Sequence, residues 1–170
     1  MPEKETLERA RRDELEGKSP STQAGEFVRE EIHHIREDKH GARSPQQAIA
    51  IGLSKARRAG VDLPPPEPGA APEKTRRSAE RAYEQGQGKS RAKRRPRVAK
   101  TVKSALKREG RKAASPKALA AQARSAAARR TKADRSAAAK KAARTKGPAK
   151  RSAAAKKGAR TRARAAAAKG

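Results

Sequence analysis

Apolar residues recur with helical spacing over residues 19–60 more regularly than anywhere else in the chain. Ala24, Phe27, Val28, Ile32 and Ile35 fall at helical intervals while Glu30, Glu31, Arg36 and Glu37 take other positions, the pattern of a helix with one buried face. Ser21 or Thr22 is placed to cap its start, the helix should stop near Asp38, and Gly41 is available for a left-handed turn beyond it. Ser44, Pro45 and Gln47 spell a second helix start: a capping hydroxyl, a proline whose missing N–H does no harm, and an amide at the third position. Ile49, Leu53 and Ala56 fall on one stripe of that helix, Lys55, Arg57 and Arg58 sit at its end, and Gly60 closes it. The pattern predicts a helical hairpin with a core of Phe27, Val28, Ile32, Ile35, Ile49 and Leu53, with Ile51 beside the stripe. So small a core does not offset the entropy of ordering the hairpin. The hairpin should therefore gain stability as a homodimer, by packing the first helix against it, or by docking on a partner.

The rest of the chain is weaker in pattern. Residues 1–18 run from Pro2 to Gly17 with only Leu7, Ala10 and Leu15 as an apolar face, and read as a marginal, mostly exposed helix. Residues 61–96 form a linker: VDLPPPEPGAAP is a semi-rigid spacer, EKTRRSAERAYEQ a short polar helix, and GQGKS a flexible joint. In residues 97–170, Val98, Val102, Ala105 and Leu106 predict a short amphipathic helix ending at Gly110, after which the unit RSAAA followed by two basic residues recurs at 124, 135 and 151. Alanine, lysine and arginine favour helix, while like charges on neighbouring turns oppose it. The expected fold is mainly α: a small helical hairpin plus a long, basic, largely disordered but helix-capable tail, broken at Gly147, Pro148 and Gly158.

Charge gives this tail its meaning. Residues 91–170 hold 29 of the chain's 46 Lys and Arg beside only Glu109 and Asp134, so they carry +27 of the formal +28. Such a segment repels itself, has almost no large apolar side chain to collapse around, and needs a polyanion. Double-stranded DNA is the best match, with about one negative charge per 1.7 Å of axis and counterions to release. The residues expected to meet it are Arg91, Lys93, Arg94, Arg95, Arg97, Lys100, Lys103, Lys107, Arg108, Arg124, Arg129, Arg130, Arg135, Lys140, Lys141, Arg144, Lys146, Lys150, Arg151, Lys156, Lys157, Arg160, Arg162 and Arg164. No fixed array of base-reading side chains is in view, so sequence preference is not expected. Structured RNA or the ribosome is the main rival; Phe27 and Tyr83 are the only aromatic residues, which disfavours stacking on unpaired bases. A second rival is an antitoxin-like regulator, a helix-turn-helix with Lys55, Arg57 and Arg58 near an operator. The connection from Asp38 to Ser44, about seven residues, is long for that motif.

Other chemistry is thin. Ser19-Pro20, Ser44-Pro45 and Ser115-Pro116 read as helix starts before phosphorylation sites. His33, His34 and His40 lie among Glu30, Glu37 and Asp38, but a small hairpin offers little shielded cavity, so exposed helix-end histidines and no metal are expected. GQGKS lacks the first glycine of a phosphate-binding loop, Tyr83 standing there. No nucleophile and base share a plausible pocket, so no enzyme, cofactor or small-molecule substrate is expected. Cysteine is absent, and neither a bilayer-spanning run nor a hydrophobic signal segment is present, which suits a cytoplasmic, nucleoid-associated protein.

Two stretches resemble known proteins. Residues 17–66, GKSPSTQAGEFVREEIHHIREDKHGARSPQQAIAIGLSKARRAGVDLPPP, resemble small bacterial proteins that carry an uncharacterised conserved domain, which implies a bacterial context and little chemistry. RSAAAKKAARTKGPAK and its neighbours resemble the Lys/Ala-rich arms of linker histones and bacterial histone-like proteins, a likeness of composition that implies DNA binding through charge.

Overall fold

The computed structural model describes residues 2–89 and 96–167, with the side chains of 145, 146, 150, 165 and 166 left aside. Among the described residues seven α-helices follow in order: α1 Lys4–Leu15, α2 Pro20–Arg36, α3 Pro45–Arg58, α4 Glu73–Gly86, α5 Pro96–Arg108, α6 Pro116–Ala128 and α7 Lys132–Ala167, with a 3-10 turn at Lys112–Ala114. Among the described residues there is no strand, and the protein is mainly α. The chain divides into two units, Met1–Ala123 and Arg124–Gly170.

Local chemistry sets the helix ends. Ser19 is the N-cap of α2 with Pro20 in its first turn, so the helix begins before Ser21 and Thr22, whose hydroxyls bond Ser19 Oγ instead. Ser44 caps α3, accepting from the Gln47 N–H at 3.2 Å, while Gln47 Oε1 accepts from the Arg43 N–H at 2.8 Å. Asp38, at φ 63°, takes the left-handed position after α2 in place of Gly41, and the Asp38 and Lys39 N–H groups return to the Ile35 and His34 carbonyls. Gly41 serves another purpose: a side chain there would run into the backbone carbonyl of Glu109.

Helices α2 and α3 pack as the hairpin, but its seam differs from the predicted one. On α3 the buried residues are Ala48, Gly52 and Ala56, one position round from Ile49 and Leu53, which are half-buried at the flanks with Ile51. On α2, Phe27 and Ile35 are fully buried and Val28 and Ile32 half-buried. The small stripe lets the backbones approach, since a Cβ on Gly52 would lie 2.7 Å from Val28 Cα. Larger side chains fill the grooves beside that contact instead of the seam.

The chain itself covers the hairpin. Helix α1, expected to be marginal and mostly exposed, packs on α2 through Thr6, Ala10 and Asp13; of its thin apolar face Ala10 is buried, whereas Leu7 and Leu15 are exposed. Arg9 Nε meets Glu26 Oε2 at 2.7 Å across that contact. Helix α4 buries Ala79 and Ala82 and packs on α3, and Tyr83 donates to Asp62 at 2.6 Å. The spacer is anchored: Arg57 donates to the Leu63 and Pro64 carbonyls, and Val61 is buried. Ala113 and Ala114 complete a second small core with Ile35, Ala42 and Ala48, and the Arg36 Nε–H reaches the Ala114 carbonyl at 3.0 Å. Residues 96–123 therefore belong with the hairpin unit, although the sequence assigns them to the tail.

The expectation of a largely disordered tail is also corrected. Residues 132–167 are helical, with non-helical geometry at Gly147 (φ 65°, ψ 169°) just before Pro148. Gly158 lies inside the helix and breaks nothing. Alanine-rich turns gain more from propensity than isolated like-charge pairs, at roughly 0.2–0.5 kcal/mol each, take away.

Candidate nucleic-acid interface

Two cations at the end of the hairpin are held internally. Lys55, 19 % exposed, lies 2.9 Å from Glu30 Oε1 and 2.7 Å from Glu31 Oε2. Burial pushes the Lys55 ammonium down, and the two carboxylates more than restore it, so its pKa rises. Arg57, 7 % exposed, is spent on the spacer carbonyls, and burial lowers its pKa. Of the three side chains an operator-reading hairpin would use, Arg58 alone is exposed.

The predicted tail cations sit differently. Arg97, Lys100, Lys103, Lys107 and Arg108 on α5, Arg124 on α6, Arg129 and Arg130 after it, and Arg135, Lys140, Lys141, Arg144, Arg151, Lys156, Lys157, Arg160, Arg162 and Arg164 on α7 are all exposed. Lys146 and Lys150 lie in α7 but their side chains are outside the described ones, and Arg91, Lys93, Arg94 and Arg95 are outside the described residues. On α5 the cations flank Val98 and Val102, which are themselves exposed.

The start of α7 shows how its one acid is used. Thr131 Oγ1 accepts from the Asp134 N–H at 3.1 Å, and Asp134 Oδ2 accepts from the Thr131 N–H at 3.0 Å and its hydroxyl at 2.7 Å. This reciprocal cap satisfies the first helical turn and holds the Asp134 carboxyl below its ordinary pKa through the Thr131 hydroxyl and N–H. The carboxylate is thereby occupied locally. At 3.6 residues per turn, Lys140, Lys141 and Arg144, and beyond Gly147 Arg151, Lys156, Lys157, Arg160, Arg162 and Arg164, fall on several sides of the helix.

The histidines also depart from expectation. His33 is exposed and 3.2 Å from Glu37, but His34 and His40 are only 13 % and 18 % exposed. Both turn toward Glu31, whose side chain is 1 % exposed. Glu31 and His34 stand three residues apart on α2, a spacing visible in the sequence; the approach of His40 depends on the turn after Asp38, which no periodicity reports. With this geometry in hand, comparison with known proteins adds nothing further: no family model, curated protein or solved structure matches the chain.

Proposed function

We propose that the protein binds double-stranded DNA without sequence preference, through the cations of residues 91–170, as a nucleoid-associated, histone-like protein of the cytoplasm. The observation that carries this reading is that the described cations between Arg124 and Arg164 are all exposed, while Asp134, the single acid of that stretch, is tied up in its own helix cap. Positive charge on several sides of a helix suits a phosphate backbone, which asks for charge and not for register. The compositional likeness to histone arms supports it. Phosphates would also relieve the repulsion between neighbouring turns, so DNA should tighten the helix of α7. Residues 19–60, whose Lys55 and Arg57 are bound internally, are left for protein contacts.

The test is binding of the full chain to duplexes of unrelated sequence across a salt series, in competition with structured ribosomal RNA. Comparable affinity for all duplexes, steep salt dependence and preference for duplex over RNA are expected. A single preferred site, or stronger RNA binding at physiological salt, overturns the reading.

A further inference from the structure

Three acids and two histidines, from the N-cap of α1, from α2 and from the turn after α2, meet in one place. Glu31 Oε1 is 3.0 Å from His40 Nε2; Glu3 Oε1 is 2.8 Å from His34 Nε2 and 3.1 Å from Lys39 Nζ; the Glu3 N–H donates to Glu30 Oε2 at 3.0 Å. The rings of His34 and His40 meet edge to face, their centroids 6.1 Å apart. One oxygen of Glu31 and one nitrogen of each ring lie within 4.8 Å of one another. We propose that Glu31, His34 and His40 bind one divalent transition ion of the zinc class.

The hydrogen bonds decide which nitrogens are free. His40 Nδ1 lies 3.1 Å from the Gly41 carbonyl, which can only accept, so Nδ1 carries the proton. In the neutral ring Nε2 is then a lone pair, and it faces an oxygen of a carboxylate. Two acceptors at that distance repel unless a cation lies between them or a proton sits on the ring. The Glu3 carboxylate likewise accepts the hydrogen bond of the His34 Nε2–H, leaving Nδ1 as the lone pair of that ring. Imidazoles whose other nitrogen donates to a carboxylate or a backbone carbonyl are the usual arrangement around a bound metal, because the outer acceptor fixes the ring and raises its basicity.

Glu31 is 1 % exposed: its Oε2 is paired with Lys55 Nζ at 2.7 Å while its Oε1 faces His40. Lys55 is shared with Glu30, and Lys39 with Glu3 and Glu37. Two imidazoles and one carboxylate match zinc and its neighbours better than the oxygen-seeking calcium or magnesium. The ion would tie α2 to the turn that carries Gly41 and Ala42, whose N–H groups bond the Leu106 and Gly110 carbonyls. It would thereby steady the docking of residues 106–114. The site stands independently of the nucleic-acid reading.

Titration of the full chain with cobalt(II) at neutral pH, followed by displacement with zinc, tests it. One equivalent should give visible d–d absorption, zinc should abolish it, and zinc should raise the Tm. His40→Gln should lose the absorption, Glu3→Gln should weaken affinity by about tenfold to a hundredfold, and His33→Ala should leave it unchanged. No d–d absorption in the parent, which is the outcome if a proton on His40 fills the role, overturns the proposal. So does equal affinity in His40→Gln, or a loss in His33→Ala as large as in His40→Gln. If His40→Gln loses its helical signal, the imidazole nitrogen shifts of His34 and His40 in the parent decide, and shifts unmoved by zinc overturn it.

Discussion

At Gly52 a single hydrogen atom sets the distance between two helices. Alanine normally stabilises a helix interior relative to glycine by about 1 kcal/mol; here its Cβ would sit 2.7 Å from Val28 Cα. Gly52→Ala should therefore destabilise the hairpin unit, by about 1–3 kcal/mol as for other overpacked contacts, seen as an earlier unfolding midpoint by circular dichroism in urea. Tyr83 offers a cleaner probe, being the only tyrosine in a chain without tryptophan. Its hydroxyl donates to Asp62, and that bond raises its pKa above the ordinary 10. The protonated phenol is the form the fold favours, so this contribution is complete below pH 10 and fades as pH rises through the raised value. Ultraviolet titration should place ionisation above pH 10, and Asp62→Ala should return it toward 10. Of the hairpin's apolar residues, Phe27 and Ile35 were legible as core from spacing alone. The Ala48, Gly52 and Ala56 seam was not, because hydrophobic periodicity favours large side chains and small ones win only where two backbones must touch.

For helices as units, starts and stops were well written in the chain. Pro20, Ser44-Pro45-Gln47, Gly17 and Gly60 act where their local chemistry places them, since caps depend on neighbours a few residues away. Ser44→Ala should cost about 1 kcal/mol of hairpin stability in thermal melts, because the Gln47 N–H loses its acceptor. The long basic helix was misjudged for the opposite reason: propensity and repulsion nearly balance there, and a small margin decides. If that margin is electrostatic, helical ellipticity of residues 124–170 should increase on saturation with duplex DNA. A spectrum unchanged by DNA would mean that repulsion exerts no hold on the free helix.

For the molecule as a whole, charge and fold occupy different stretches. Shortening the chain after Ala123 removes the second unit and leaves α1–α5 and the first part of α6, whereas a cut at residue 91 also strips away Ala113 and Ala114, which belong to a core with Ile35 and Ala48. Truncation at 123 should weaken DNA binding severely while keeping a cooperative melt; truncation at 91 should impair both. If about ten phosphates are neutralised by the full chain, the logarithm of affinity should fall against the logarithm of salt with a slope near −9, and less steeply in the shorter form.

The sequence by itself determined the helical class, the hairpin and the charged region, because propensity, capping and net charge are sums over near neighbours. Tertiary structure alone decided which face of each helix is hidden, that Lys55 and Arg57 are consumed internally, that residues 112–114 return to the hairpin, and that His40 comes to Glu31 and His34. Each of those depends on atoms far apart along the chain approaching within a few ångströms, and no local pattern encodes that distance.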